Sequence, residues 1–319
     1  MSIERVLPHN SDRMFVTDGG LETTLVFHEE LELPEFAAFV LLEQKEGLET
    51  LDKYFHEYMK IARSVNAPLI LESVTWRANP DWATKLGYSA GQLDRLHRFS
   101  VEMLKQLRPE FEESGNPLIV SGCIGPRGDG YVAGEMMDPE EAKLYHQAQI
   151  NSFRTAGADL VTAITMTYEN EAIGIADAAA EAGLPCVISF TVETDGRLPS
   201  GSKLADAIAR VDAEAEARPA YYMINCAHPT HFAEALSEGS DWQERVQGTR
   251  VNASKMSHEE LDESEVLDEG DPSELACDHD GLLAALPNLN VLGGCCGTDE
   301  RHVEAIVRRV FEKAQARGA

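Results

Sequence analysis

The chain lacks the features that would place it in a membrane or outside the cell. No uninterrupted apolar run approaches the ~18–20 residues needed to cross a bilayer, and no charged-then-apolar leader opens the sequence. Six cysteines in 319 residues do not form the pattern of a disulfide framework. We therefore expect a cytoplasmic protein whose cysteines are free thiols.

Basic residues are scarce. The chain has 27 Lys and Arg against 55 Asp and Glu, which gives a net charge of -28. Nucleic-acid binding requires a basic face, so the composition argues against a nucleic-acid partner. Much of the acidic excess lies between about residues 254 and 276, which we interpret as a solvated acidic loop or frayed helix inserted into the fold. An acidic interaction surface is the alternative, and the sequence carries no signal of oligomeric state.

A nucleotide-binding Gly-x-Gly-x-x-Gly signature is absent from the first strand–helix turn, which disfavours a Rossmann fold. Instead, short apolar or β-branched runs alternate with helical segments along the chain. Eight such runs start at residues 14, 68, 118, 159, 186, 221, 249 and 290. Strands that alternate with helices predict a parallel sheet, and eight units predict a single (β/α)8 barrel domain over residues 1–319.

The last run leads into Gly293-Gly294-Cys295-Cys296-Gly297-Thr298. Two adjacent cysteines make a strained disulfide, but they make good thiolate ligands if the backbone turns both sulfurs toward one point. The flanking glycines would supply that conformational freedom. The stretch therefore favours a thiophilic metal, with zinc first. The alternative is two small apolar residues packed at a strand end.

Other candidates also lie at the predicted carboxyl ends of strands, where barrel active sites are built. Asp18-Gly19-Gly20 follows the first strand, Glu72 ends the second, and Asn225-Cys226 ends the sixth. Cys226 should therefore lie on the same rim as the adjacent pair. Three thiolates fit a zinc ion with an open fourth position, whereas a structural site usually shows paired C-x-x-C spacings, which are absent.

The remaining cysteines and two histidines fit this site less well. Cys186 opens the fifth strand, Cys123 follows the third, and Cys277 falls in the acidic stretch, so all three are interpreted as bystanders. His228 and His302 are close in sequence to the candidate ligands, and we interpret them as surface or supporting histidines.

Taken together, Asp18-Gly19-Gly20, Asn225-Cys226 and the Gly-Gly-Cys-Cys-Gly-Thr stretch resemble the homocysteine S-methyltransferase family, from about Met14 to Val310. That family includes betaine-, S-methylmethionine- and S-adenosylmethionine-dependent enzymes and the homocysteine module of cobalamin-dependent methionine synthase. The resemblance implies a (β/α)8 barrel with zinc held by Cys226, Cys295 and Cys296. It also implies that homocysteine's sulfur takes the fourth position, near substrate contacts from Asp18, Gly19, Gly20, Thr165 and Asn225.

The implied reaction is methyl transfer from a small onium donor to the thiol of homocysteine, which gives methionine. A thiol with a pKa near ~8.5 is mostly protonated at neutral pH, and coordination to zinc would convert it to the nucleophilic thiolate. The donor, whether S-methylmethionine, S-adenosylmethionine or a betaine-like compound, stays open. An alternative is a non-catalytic thiol-binding barrel that works with a separate corrinoid or methyl-carrier protein.

The sequence departs from the family's pattern at the fourth strand. The family often carries a glutamate there in a Phe-Glu-Thr context, and the matching residues here are Ala163-Ile164-Thr165. Glu72 is the candidate replacement that would receive the substrate ammonium. The alternative is that Glu72 pairs with the nearby Arg77 and is purely structural. Whether homocysteine or an analogue is the acceptor therefore stays open.

Overall fold

The computed structural model describes residues 3–237, 239, 241–264 and 266–318, with side chains through residue 313. Its strands form one closed parallel barrel in chain order, with β1 hydrogen-bonded to both β2 and β8. This confirms the predicted (β/α)8 barrel. The strands are β1 (Phe15–Val16), β2 (Leu69–Glu72), β3 (Leu118–Ile124), β4 (Leu160–Met166), β5 (Cys186–Phe190), β6 (Tyr221–Asn225), β7 (Val246–Val251) and β8 (Val291–Gly294).

Helices surround the barrel and connect its strands. In the described residues they are α1 (Leu21–Thr23), α2 (Lys45–Ser64), α3 (Pro80–Lys85), α4 (Ala90–Gln106), α5 (Arg108–Glu112), α6 (Pro139–Ala156), α7 (Glu169–Ala182), α8 (Leu204–Glu214), α9 (Pro229–Ser237), α10 (His258–Asp262), α11 (Pro272–Ala285) and α12 (Glu300–Gly318). None of these helices is long and apolar enough to cross a bilayer.

Local sequence signals fix several helix ends. Ser89 and Gln92 form a capping box at the start of α4, and such a cap is worth about 1 kcal/mol. Helix α6 begins with an Asp138 side-chain cap and ends at Gly157, whose φ of 80° is left-handed. Both ends of α6 are therefore marked in the sequence itself.

Two strands extend by about three residues beyond their predicted bounds, and each contains a closely packed glycine. The sequence analysis placed Cys123 after the third strand, but β3 includes it and runs on to Ile124. A Cβ on Gly122 would lie 2.4 Å from the ring of Phe153, so the glycine serves close packing of the strand against α6. Similarly, β7 starts three residues before the predicted Thr249, and its Gly248 lies against Met223.

Apolar side chains fill the barrel near the amino ends of its strands. The cluster consists of Phe15, Ile70, Ile119, Leu160, Val187, Tyr221, Met223 and Val291. A second, larger apolar layer lies between the strands and the surrounding helices. The interior is thus a packed core in its lower half. The carboxyl half is left to polar side chains, and the candidate site lies there.

Candidate metal and substrate site

Three cysteine sulfurs converge at the carboxyl end of the barrel. Cys226 follows β6, and Cys295 and Cys296 follow β8. The Cys226 sulfur lies 2.9 Å from that of Cys295 and 3.4 Å from that of Cys296. All three sulfurs lie within 4.8 Å of one another, so they form a group that can hold a metal ion. The structure thus brings together the three cysteines selected from the sequence.

The backbone around the cysteines is shaped by unusual conformations and close contacts. Cys226 has a φ of 55°, which is rare outside glycine and is typical of functional sites. Gly297 has a φ of 76°, as expected of a glycine that turns the chain. Gly294 serves another purpose, because a Cβ there would lie 2.0 Å from the Thr298 hydroxyl. The glycine before the cysteine pair therefore permits close approach, and the glycine after it permits the turn.

The cysteines differ in their electrostatic environments. Hydrogen bonding with the Cys226 thiol, followed by that with Cys296, holds the pKa of Cys295 well below its usual range, and the positive charge of Arg250 adds to this. Asn225 is fully buried behind the cavity wall, with its amide nitrogen 3.8 Å from the Cys295 sulfur. Its amide also donates to Thr165 Oγ1, at 2.8 Å. Asn225, which the sequence suggested as a substrate contact, is placed to orient Cys295 and the end of β4.

The other three cysteines lie apart from this group. Cys186 is buried at the start of β5, at the opposite end of the barrel. Cys123 lies within β3 rather than after it and contributes to the cavity wall. Cys277 is exposed on α11, so its assignment to an acidic loop was wrong. Of the six, only Cys226, Cys295 and Cys296 form a possible metal-binding group in the described structure.

We expect the triple replacement Cys123→Ala, Cys186→Ala, Cys277→Ser to retain its full metal content and its activity. The reason is that these sulfurs do not converge with the other three. Metal analysis and turnover of the folded variant provide the measurement. Metal loss from a folded triple variant would show that the ligand set is wrong, whereas a lower melting temperature alone would reflect lost packing of buried cysteine.

Asp18 is buried and already paired. Its carboxylate lies 2.5 Å from the Arg250 guanidinium, and the Tyr54 hydroxyl donates to it at 3.4 Å. Arg250 also donates to the Thr17 hydroxyl and the Gly19 carbonyl. The carboxylate charge is therefore largely neutralised within the protein. Gly19 and Gly20 lie beside it in the cavity wall.

Glu72 is the buried acid with a free oxygen. One carboxylate oxygen has no hydrogen-bond partner among the described residues. Burial raises its pKa to about 7, although Arg250 and the hydroxyls of Ser121 and Thr162 oppose that rise. The alternative that Glu72 pairs with Arg77 is wrong, because the ion partner of Arg77 is Asp129, at 3.9 Å. Glu72 thus lines the cavity with Ser121, Thr162 and Arg250 as its neighbours, while one of its two oxygens stays without a partner.

Tyr131 lies beside the three sulfurs. It lies on the long connection after β3, and its hydroxyl is 3.3 Å from the Cys296 sulfur and 3.5 Å from the Cys226 sulfur. Its ring stacks on His258 with 4.2 Å between ring centres. His258 in turn lies with Nε2 2.6 Å from the Cys226 carbonyl. The tyrosine hydroxyl therefore lies against two of the three sulfurs, those of Cys226 and Cys296.

A cavity of about 370 Å³ opens above the cysteines. One wall comes from the acidic stretch, which contributes Leu261, Asp262 and Asp268. That stretch was interpreted as a solvated loop or frayed helix. It contains the short helix α10 and is held by contacts such as the one from the Ser254 hydroxyl to Asp268, at 2.5 Å. The described part of the acidic stretch therefore helps to enclose the site.

The two histidines near the cysteines are structural. His302 is fully buried, 2.9 Å from Asp299 and 2.7 Å from the Glu269 carbonyl. His228 is also buried, and its ring lies against Thr230. No hydrogen bond from either ring reaches a cysteine sulfur in the described structure. They are supporting residues rather than surface ones.

The sequence analysis missed three residues at the site: Arg250, Tyr131 and Glu22. Arg250 carried a signal, because a charged residue inside an apolar strand must have a buried partner. Glu22 follows the Asp-Gly-Gly motif, and burial raises the pKa of its carboxyl to about 7. No sequence pattern pointed to Tyr131, because it lies in the 14-residue connection between β3 and α6 and the path of that connection cannot be inferred from its residues.

The chemistry of the three donors suits a thiophilic ion. Two thiolates on a tetrahedral zinc at about 2.3 Å would lie about 3.8 Å apart, so the observed sulfur positions fit after small side-chain shifts. The Arg250 guanidinium offsets part of the negative charge of the thiolates. The fold and the site thus define a (β/α)8 barrel whose rim carries three thiols that could hold a metal ion, beside a cavity lined by polar and charged side chains.

Comparisons with known proteins agree with this class. The model of the family described as homocysteine S-methyltransferase matches residues 15–310. Homocysteine S-methyltransferase 4 of Zea mays is 24% identical over 93% of this chain and 89% of its own length. Selenocysteine Se-methyltransferase of Brassica oleracea var. italica is 26% identical over 69% of this chain and 67% of its own length.

Solved structures share the fold. The metallated form of the homocysteine methyltransferase MmuM from Escherichia coli matches with a TM-score of 0.71 and 19% identity, over 96% of this chain and 99% of that one. Its oxidized form gives a TM-score of 0.73. Because the family model spans almost the whole barrel, this chain belongs to the homocysteine S-methyltransferase family and is a methyltransferase.

Proposed function

We propose that the protein is a zinc-dependent methyltransferase that moves a methyl group from a small onium donor to the thiol of homocysteine, giving methionine. The observation that carries the proposal is the convergence of three cysteine sulfurs beside a cavity with a free buried acid. Family membership supplies the reaction class. The zinc ion, the methyl donor and the roles of individual residues are all parts of this proposal.

Cys226, Cys295 and Cys296 would hold the zinc. A zinc ion bound there would deprotonate a substrate thiol at neutral pH while leaving the sulfur nucleophilic. The Tyr131 hydroxyl occupies the space above the sulfurs, so the acceptor has to displace it. Asn225 holds Cys295 in place, which preserves the direction in which the sulfurs face the cavity.

The acceptor's amino-acid end fits the buried charges. Asp18, Arg250 and an ionised Glu72 together carry one negative charge, and Asp18 is already paired with Arg250. A substrate ammonium would balance this negative charge by pairing with the Glu72 oxygen that has no hydrogen-bond partner. A desolvated ammonium requires such a partner. This arrangement would replace the acid that the family often places on the fourth strand.

Aromatic and acidic side chains in the cavity wall suit a cationic methyl donor. The wall includes Phe27, Phe36 and Trp76, together with Asp129 and Asp262. Aromatic faces and carboxylates both attract an onium cation. As the methyl group leaves, a sulfonium or quaternary ammonium becomes neutral, so no leaving-group protonation by the protein is needed.

A donor-by-acceptor screen with the purified single chain tests the proposal. The zinc-loaded protein is incubated with homocysteine and, in turn, S-methylmethionine, S-adenosylmethionine and betaine. Mass detection of methionine is the measurement. We expect product from at least one donor, and loss of turnover after zinc removal followed by recovery on zinc addition. Failure with all three donors would contradict the proposal.

Two variations of this screen address the open alternatives. Selenocysteine and cysteine replace homocysteine as acceptors, because one relative is named a selenocysteine Se-methyltransferase. A corrinoid methyl carrier is added when the single chain is inactive. Turnover only in its presence would favour the alternative of a thiol-binding barrel that works with a separate carrier protein.

A further inference from the structure

Two arginines line the cavity, and their situations differ. Arg250 is engaged by Asp18, Thr17 and Gly19. Arg77, on the connection after β2, donates no hydrogen bond within the described structure, and its buried Nε has no partner. Its ion partner Asp129 is 3.9 Å away and half exposed, which is a weak interaction.

Arg77 is nevertheless held rigidly. Its guanidinium carbon lies 4.8 Å from the ring centre of Trp76 and 4.0 Å from that of Trp82. The Trp76 indole nitrogen donates to the Ile164 carbonyl at 3.2 Å, and Asn79 caps the helix that carries Trp82. The Arg77 side chain is only 13% exposed. A fixed guanidinium that is largely removed from water and makes no hydrogen bond costs desolvation free energy. A ligand that accepts hydrogen bonds from it would offset that cost.

The ligand chemistry follows from the geometry of the group. A guanidinium presents parallel N–H donors that match a carboxylate in a bidentate pair. Apart from Arg77 and Arg250, the ionisable groups that line this cavity are acids, including Glu22, Glu72 and Asp262. A substrate carboxylate therefore has one favourable location, since Arg250 is already occupied.

We infer that Arg77 is a substrate-positioning residue that binds the α-carboxylate of an amino-acid substrate. The inference rests on the proposed function and adds to it the group that recognises the carboxylate. Homocysteine and S-methylmethionine both carry this group, so the carboxylate can come from the acceptor or from the donor. In either case Arg77 and Glu72 would together select an α-amino acid over a simple thiol or sulfonium.

The test compares carboxylated ligands with their decarboxylated analogues. Calorimetry on the zinc-loaded protein measures homocysteine against 3-aminopropane-1-thiol, and S-methylmethionine against (3-aminopropyl)dimethylsulfonium. Arg77→Gln should weaken one carboxylated ligand by about 10- to 100-fold, the range for a charged hydrogen-bonded pair. The decarboxylated analogues should bind the variant and the parent alike. Arg77→Lys should bind the carboxylated ligand more tightly than Arg77→Gln does but less tightly than the parent. Lysine keeps the positive charge but lacks the two parallel N–H donors.

The pattern of the results identifies the source of the carboxylate. Weakening of homocysteine alone assigns it to the acceptor, and weakening of S-methylmethionine alone assigns it to the donor. Arg127→Gln is the matched control, since Arg127 is more exposed and pairs with Asp81 outside the cavity. Metal content and melting temperature show whether Arg77→Gln is folded.

Two outcomes would overturn the inference. In one, Arg77→Gln binds both carboxylated ligands as the parent does. In the other, it loses the carboxylated and decarboxylated ligands equally, which would make Arg77 a structural residue. Failure of the proposed function looks different: the parent would bind a carboxylated ligand through Arg77 and yet transfer no methyl group.

Discussion

Replacing Cys226, Cys295 or Cys296 with serine should remove most of the bound zinc and abolish methyl transfer. Each residue contributes one of three sulfurs within 4.8 Å of one another. Two remaining thiolates would leave the ion with a half-filled protein coordination shell, and zinc sites in proteins use three or four ligands. The expected loss of zinc affinity exceeds the roughly 100-fold that removal of a supporting contact produces. Metal analysis of the three dialysed variants is the measurement.

Cys186→Ala is the matched control for these variants. Its thiol is buried like that of Cys226 but lies at the opposite end of the barrel. It should keep its zinc and its turnover while losing some stability. Full zinc occupancy in Cys226→Ser would remove Cys226 from the ligand set and leave the adjacent pair as a two-thiol site.

Glu72→Gln should raise the Michaelis constant for homocysteine by about one to two orders of magnitude, because a charged hydrogen-bonded pair is worth roughly 1.5–3 kcal/mol. The substrate ammonium would lose its charged partner, because Glu72 lines the cavity and one of its buried carboxylate oxygens has no hydrogen-bond partner. Zinc content should not change. A thiol without an amino group should react equally well with the parent and the variant. Equal Michaelis constants for homocysteine would show that Glu72 does not receive the ammonium.

The pH dependence gives this prediction a second readout. The Glu72 pKa is raised to about 7, so the carboxyl is neutral below that pH and cannot pair with an ammonium. The Michaelis constant of the parent should therefore fall as pH rises through 7, and that change should be absent in Glu72→Gln. A raised pKa means that the folded state holds the proton more tightly than the unfolded state does. The contribution of Glu72 to stability is therefore lost as pH rises from the ordinary pKa of a glutamate to about 7. Glu72→Gln should then be the more stable protein above pH 7.

Asp159→Asn is a control for buried carboxylate loss. Asp159 lies just before β4, at the opposite end of the barrel from the cavity. Its carboxylate pairs with Arg108 and accepts a hydrogen bond from the Val120 amide. This variant should lose stability and keep the parent's Michaelis constant. The opposite signs of the two stability changes would separate an acid kept for binding from one kept for folding.

The fold and the convergence of the three cysteines could be predicted from strand and helix signals that are local in the sequence. Eight alternating strand and helix signals determine the barrel, and the barrel places the strand ends on one rim. Cys226 could therefore be grouped with Cys295 and Cys296 across about seventy residues. Helix α6 likewise has both ends marked in the sequence, by Asp138 and Gly157.

The substrate pocket could not be predicted in the same way. The pairing of Asp18 with Arg250 depends on which inward-facing side chains of β1 and β7 meet across the barrel, and periodicity does not specify this. The orientation of Tyr131 depends on a long connection anchored by contacts such as the 2.7 Å hydrogen bond from the Arg127 amide to Glu171. The acidic stretch was interpreted from its charge alone, which conceals the apolar Leu261 that faces the cavity.

X-ray absorption at the zinc edge tests the central claim most directly, because it reports the ligands of the ion itself. The zinc-loaded protein is measured without and with homocysteine. We predict three sulfur neighbours at about 2.3 Å in the free protein and four when homocysteine is bound. An unchanged sulfur count in a sample shown by calorimetry to be saturated would contradict the account, because the acceptor thiol would then not be activated at the metal.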